Sequence, residues 1–276
     1  MSNSNRLITA REIEQWIPRN LQQVTGCKAL VQELELRIRA GADSPNLLVS
    51  GPPGTGKTSA IKTAIRTWKC HRRPTESLIP CEECSSCQTR DPRYPDVGLF
   101  AYMAGDAGED GVDPFHFCPV DCSHETESSL KEILYDLRSY SGTIVVYLDE
   151  VHRLKRSKME HLLLKPLEEM RVVWIASSAH ADEMDPMFLR RFSSRIDTEY
   201  PSVEELVHFL AARCGEWSLR HGGPASLADT LSLLAQKSQR NVSECLKVLA
   251  RAALRVDRTL SQELVRTHSF QSQARI

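Results

Sequence analysis

The sequence predicts an α/β fold: a parallel sheet with helices on both faces, followed by a small all-α unit. Three observations predict it. Short, nearly unbroken apolar runs, NLLVSG (46–51), TIVVYLDE (143–150) and RVVWIASSA (171–179), alternate with segments of helical spacing, as strands buried on both faces do. A glycine-rich loop at residues 51–58 joins the first run to a helix, which is the setting of a phosphate-binding loop. Beyond about residue 200 only helical patterns remain.

The elements follow in order. Residues 10–40 read as helical, through EIEQWI and then ALVQELELRIRAG; the loop GPPGTGKT leads into the helix SAIKTAIRTW. Residues 98–121 hold VGLFAYM and FHFCPVDC, split by the acidic, glycine-rich GDAGEDGVDP, which reads as an exposed loop beside strands. SLKEILYDLRSY (129–140), KMEHLLLKPLEEM (158–170, interrupted by Pro166) and MFLRRF (187–192) have helical character. VEELVHFLAARCGEWSLRH, SLADTLSLLAQKS and VSECLKVLARAALRV form the helical tail. The expected division is a nucleotide-binding domain over 1–200, with a cysteine segment at 70–90, and a helical domain over 201–276.

Among 276 residues there are 35 basic and 36 acidic side chains, a net charge of -1. No overall basic excess advertises nucleic acid, so any such contact must come from a local patch. The first residues lack a signal-peptide h-region, and no apolar run approaches the roughly 18 residues of a membrane helix. A cytoplasmic protein without a membrane partner is expected. Of nine cysteines, Cys27, Cys118, Cys122, Cys214 and Cys245 are scattered and read as small buried hydrophobes. The other four, Cys70, Cys81, Cys84 and Cys87, are spaced C-x10-C-x2-C-x2-C.

Gly51-Pro52-Pro53-Gly54-Thr55-Gly56-Lys57-Thr58 matches G-x-x-x-x-G-K-[ST], and Ser59 continues it into the helix. Backbone N–H groups of such a loop curl around phosphate oxygens, and the helix N-terminus adds positive charge. Lys57 would reach the β- and γ-phosphates of ATP, and the Thr58 hydroxyl would bind Mg²⁺. IVVYLDE (144–150) supplies the second half of the site: Asp149 for Mg²⁺ and Glu150 as general base for the attacking water.

With these residues in place the sequence resembles the AAA+ ATPases, and within them the clamp-loader branch. WIPRNLQQVTG (16–26) is similar to the family's N-terminal box, which implies that Pro18 and Val24 help to form the adenine pocket. LDEVHRL (148–154) and LLLKPLEE (162–169) resemble the clamp-loader forms of the second motif and its helix. The cysteine segment falls where bacterial gamma/tau subunits of DNA polymerase III carry a zinc module. Cys70, Cys81, Cys84 and Cys87 could close a tetrahedral Zn²⁺ site with no open position, hence a structural one, with His71 able to replace a ligand. His71, Arg72, Arg73, Arg90 and Arg93 crowd this segment; they read either as a nucleic-acid or partner surface or as a solvated face.

The resemblance also implies a trans arginine finger, for which Arg191 stands at the matching place in LRRF (189–192), with Arg190 and Arg195 as neighbours. It implies a first sensor at the end of WIASSA, either Ser177 or Ser178, of which Ser177 is preferred. The second-sensor arginine is replaced by Ser243, with Arg240 one helical turn away. No counterpart of the clamp loaders' third, collar domain is read, so a homo- or hetero-oligomer would form through the remaining domains or another protein. The expected activity is ATP hydrolysis on DNA or a DNA-bound complex such as a sliding clamp. The alternatives are an ATP-driven assembly switch on DNA that recruits an effector, as in transposition or defence, and a non-catalytic subunit.

Overall fold

The computed structural model describes residues 7–14, 16–70, 72–73, 77–84, 115–139 and 143–270. Cys87, His71, Arg90, Arg93 and the stretch read as VGLFAYM with its acidic loop lie outside the described residues.

Five strands form one sheet: β1 (Leu47–Ser50), β2 (Phe115–Asp121), β3 (Thr143–Asp149), β4 (Val173–Ser178) and β5 (Ser194–Asp197). Their order is β2-β3-β4-β1-β5, and every ladder is parallel. Alternation along the strands splits the core in two. Val145, Tyr147, Val173, Ile175, Leu47 and Val49 pack with Leu30, Leu34, Ile61 and Ile65 on one face. Ile144, Val146, Leu148, Trp174, Ala176 and Leu48 pack with Leu130, Leu163 and Phe188 on the other. Both faces are covered, which is why apolar residues run consecutively through the middle of β1, β3 and β4 instead of alternating with polar ones. Cys118 and Cys122 are buried in the second cluster, and burial pushes the Cys118 thiol up to about 12. β5 leaves no apolar run in the sequence: it is an edge strand whose SRID has Ile196 as its one apolar residue.

α1 (Ala10–Glu14) packs on the carboxy-terminal unit. Around the sheet lie α2 (Lys28–Ala40), α3 (Lys57–Lys69) and α4 (Glu127–Ser139), then the short α5 (Arg153–Arg156), α6 (His161–Leu164), α7 (Pro166–Glu169) and α8 (Pro186–Leu189). The stretch 10–40 is not continuously helical. Residues 17–19 leave the helix around Pro18, a single turn of 3-10 helix covers Leu21–Gln23, and Gly26 turns at φ 80° before α2. The expected helix 158–170 is likewise divided. Pro166 opens α7 at the position where its missing N–H costs nothing.

The carboxy-terminal unit holds α9 (Val203–Glu216), α10 (Leu227–Lys237), α11 (Val242–Leu254) and α12 (Gln262–Thr267). Ser202 with Glu205 and Ser226 with Asp229 form reciprocal capping boxes that start α9 and α10. Leu206, Leu210, Leu231, Leu234, Val248 and Leu249 form its core. The expected all-helical unit also carries a two-residue parallel ladder, β6 (Arg220–His221) with β7 (Thr259–Leu260). The amino-terminal segment contributes to this unit too: Ile13 is fully buried in its core, and Arg258 Nη1 donates to Ile8 O at 3.0 Å. No helix among the described residues is long and apolar enough to cross a membrane.

Candidate nucleotide-hydrolysis site

The site gathers at the carboxyl ends of β1, β3 and β4, where the strand order reverses around β1. The loop Gly51–Gly56 needs Gly51 and Gly54 for room as much as for backbone angle. Gly51 has φ 134°, and a Cβ there would stand 2.4 Å from Thr198 O. Gly54 has φ 81°, and a Cβ there would stand 2.1 Å from Asn241 Oδ1. Thr55 Oγ1 meets Thr198 Oγ1 at 2.9 Å, and Thr198 N donates to Ser50 O at 2.7 Å, fastening the loop to the segment after β5. Cys27 Sγ donates to Thr55 O at 3.1 Å. Lys57 is buried, with Nζ donating to Gly51 O at 2.6 Å and Pro52 O at 2.9 Å. Burial lowers its pKa, and the charges of Glu150 and Asp149 act against that.

The helical unit docks on the same loop. Asn241 caps α11, its Oδ1 accepting from Glu244 N at 3.1 Å, while Val242 N donates to Gly54 O at 3.1 Å. Tyr200 Oη donates to Pro53 O at 3.0 Å. A Gly54→Ala variant therefore strikes both the loop and its contact with α11. It is expected to lose about 1–3 kcal/mol of stability and to bind ATP more weakly; thermal melting and nucleotide titration check this.

The acidic pair lies where the sequence put it. Asp149 ends β3, and its Oδ1 accepts from Ser177 Oγ at 2.6 Å and from Tyr147 Oη at 2.8 Å. Tyr147 Oη also stands 3.4 Å from Thr58 Oγ1. Thr58 and Asp149 thus present oxygen atoms from two facing segments, the hard donor set that suits Mg²⁺. Glu150 has φ 53°, so the chain turns sharply after the strand and redirects the carboxylate. Its Oε2 lies 3.3 Å from Nδ1 of the buried His152. Burial, and then the Asp149 charge, raise the Glu150 pKa, making it a stronger base than a free carboxylate. Burial and then His180 push His152 down to about 4, so its ring stays neutral. Ser177 therefore touches Asp149, whereas Ser178 turns to His152 Nδ1 at 3.3 Å.

Beside the loop an open cleft of about 340 Å³ is lined by Trp16, Pro18, Val24, Gly56, Ser59 and Phe209, among others. Pro18 and Val24 are the two residues expected there. Phe209, Val242 and Leu246 come from the helical unit, and nothing in their local sequence marks them. Trp16 packs on Phe209 at 5.5 Å and lies under the Arg213 guanidinium at 5.0 Å.

The other expected site residues sit apart. Arg191 lies before β5, at the end of the sheet opposite the loop. Its carbonyl accepts from Asn46 Nδ2 at 3.1 Å, and Asn46 precedes β1. Four strand residues, about 13 Å, separate that end from the loop. Arg191 Nη1 pairs with Glu168 Oε1 at 2.7 Å, and Arg190 beside it is exposed. Arg240 and Ser243 are both exposed.

Cys70, Cys81 and Cys84 come together, with their sulfurs all within 4.8 Å of one another. A tetrahedral zinc with ~2.3 Å bonds sets sulfurs about 3.8 Å apart, and Cys84 Sγ lies 4.0 Å from Cys70 Sγ. Burial raises the Cys81 thiol, but the Glu83 and Cys84 amides and the other two thiols bring it down to about 7. Three converging thiols with N–H···S bonds fit a soft metal. Arg73 serves this segment's backbone, donating from Nε to Thr67 O at 3.1 Å and from Nη1 to Ser77 O.

A phosphate loop after β1, an Asp-Glu pair ending β3 and a hydroxyl ending β4 define a P-loop nucleoside triphosphatase. Residues 47–200 match the model of the ATPase family associated with various cellular activities (AAA), and the chain belongs to that family of ATPases. It is similar to DNA polymerase III subunit gamma of Buchnera aphidicola subsp. Schizaphis graminum, 24% identical over 254 residues, which are 90% of this chain and 61% of that protein. It is also similar to DNA polymerase III subunit gamma/tau of Mycobacterium tuberculosis, 26% identical over 238 residues, 79% of this chain and 37% of that one. The chain thus spans only part of the length of these relatives. The solved Thermotoga maritima RuvB Holliday junction branch migration motor shares the fold, with a TM-score of 0.61 at 14% identity, over 90% of this chain and 70% of that one.

Proposed function

We propose that this protein hydrolyses ATP as one subunit of an oligomer and acts on DNA or a DNA-bound complex, in the manner of a clamp loader in the cytoplasm. The observation that carries the reading is the convergence of Lys57, Thr58, Asp149, Glu150 and Ser177 on one crevice. The loop amides Gly51–Ser59 and Lys57 bind the phosphates, and the cleft around Pro18 and Val24 takes the adenine. Thr58 and Asp149 hold Mg²⁺, whose charge, when it is bound, offsets that of the phosphoryl oxygens. Glu150 takes the proton of the attacking water, and Ser177 orders Asp149. Arg191 lies at the far end of the sheet from its own loop, paired with Glu168; in this reading it serves the site of a neighbouring subunit. The DNA reading leans on the named relatives, DNA polymerase III subunits and a branch migration motor.

On this reading ATP turnover per chain rises with protein concentration and falls by about 10³-fold or more in Arg191→Ala. Mixing Arg191→Ala with Glu150→Gln restores turnover, because each supplies what the other lacks. Mixtures as inactive as their components would remove the shared site. The exposure of Arg240 and Ser243 favours a second reading, a slow assembly switch on DNA that recruits an effector; ATP-dependent assembly with little turnover would support it.

Cys70, Cys81, Cys84 and Cys87 hold one structural Zn²⁺ in this proposal. Elemental analysis is expected to find one zinc per chain. Cys84→Ser is expected to lower that content sharply and to lower the melting temperature, with ATP binding retained. A full zinc content in Cys84→Ser would reject the assignment.

A further inference from the structure

Tyr147 is one residue of the otherwise apolar run IVVYL, yet its phenol carries a hydroxyl that an apolar strand does not need. Its ring is packed among Val145, Ile175 and Ile61 and is 1% exposed, so the side chain has one orientation. Tyr147 stands two residues before Asp149 on β3, and the period of two puts both side chains on one face. The next strand, β4, pairs Tyr147 with Ile175, and Ser177 falls two residues further on that same face. The hydroxyl then lies within reach of three oxygen atoms: Asp149 Oδ1 at 2.8 Å, Ser177 Oγ at 3.1 Å and Thr58 Oγ1 at 3.4 Å. A phenol has one proton to give. The shortest contact is to Asp149 Oδ1, the atom that also receives the Ser177 proton at 2.6 Å.

We infer that Tyr147 is a positioning residue for the magnesium site: with Ser177 it fixes Asp149 by engaging Oδ1, and it sets Thr58 beside it. This rests on the proposed nucleotide site. Two donors on one oxygen leave the other, Oδ2, clear of them, so it would be the oxygen available to Mg²⁺. They fix the carboxylate plane before nucleotide arrives, so that ordering it costs nothing at binding. A phenylalanine here would keep the apolar packing and lose only the hydroxyl, so the strand pattern does not require tyrosine.

The test is Tyr147→Phe, read by binding of a fluorescent ADP in EDTA and then along a Mg²⁺ titration. Affinity in EDTA is expected to stay within about twofold of the unaltered protein, because the phosphate loop is intact. The Mg²⁺ midpoint is expected to rise roughly tenfold, the usual effect of losing an outer-shell partner. A folded Tyr147→Phe with an unchanged midpoint overturns the inference. Ser177→Ala gives an independent arm should Tyr147→Phe fail to fold. It shares the acceptor and must raise the midpoint too; an unchanged midpoint there overturns the shared-acceptor account. Failure of the underlying site looks different. There the unaltered protein itself shows no Mg²⁺-dependent nucleotide affinity, or Asp149→Asn leaves that dependence unchanged.

Discussion

Glu150→Gln is expected to cut ATP turnover by about 10²–10⁴-fold, the span of general-base catalysis, while ATP still binds. The substitution keeps the size of the side chain, but it removes the charge and the ability to take a proton and turns one acceptor oxygen into an N–H donor. Glu150 is set for that task by its surroundings. Burial and the neighbouring Asp149 raise its proton affinity, and the left-handed backbone at φ 53° turns it away from the strand axis. His152 meets its Oε2 at 3.3 Å and, with its pKa pushed down to about 4, carries no charge there at neutral pH. With the ring neutral the contact is not an ion pair, and it leaves the carboxylate able to take a proton. Single-turnover measurements on prebound ATP separate the two effects. Retained binding with lost cleavage is the expected pattern; retained cleavage would move the base elsewhere.

Lys57→Ala is expected to weaken ATP binding by roughly 10²–10⁴-fold. Two charged hydrogen bonds to phosphate, each about 1.5–3 kcal/mol, are lost together. The free protein already shows why the side chain is well placed. Its ammonium is buried inside the loop and donates to the Gly51 and Pro52 carbonyls. Removing it strips the loop of an internal brace as well as a phosphate ligand, so isothermal titration should find lower affinity for ADP as well as ATP. Equal affinities in variant and unaltered protein would exclude this loop as the phosphate site.

What was legible in the sequence was local. The glycine spacing of 51–58, the acids ending IVVYLDE and the C-x2-C pair each lie within one short segment, and their chemistry follows from spacing alone. Features set by strand register were not legible. Tyr147 and Ser177 meet at Asp149 only because β3 and β4 are neighbours in that alignment. His152 looked like part of a motif, yet its burial and its contact with Glu150 depend on the turn after β3. The packing of Ile13 into the carboxy-terminal core was hidden for a similar reason, since it links segments some 200 residues apart in the chain. β5 and the β6–β7 ladder escaped because an edge strand and a two-residue bridge leave no periodic pattern. The family resemblance implies Arg191 as the finger; the structure adds its ion pair with Glu168 and its place at the far end of the sheet.

The central claim, an ATP-hydrolysing subunit coupled to DNA, meets its most direct test in steady-state ATP turnover with Mg²⁺, measured alone and with single-stranded, duplex or primed DNA. The expected result is turnover that needs Lys57 and Glu150 and is stimulated strongly by one of these DNA forms, which would thereby name the substrate. Turnover indifferent to every DNA form, or surviving in Glu150→Gln, would contradict it.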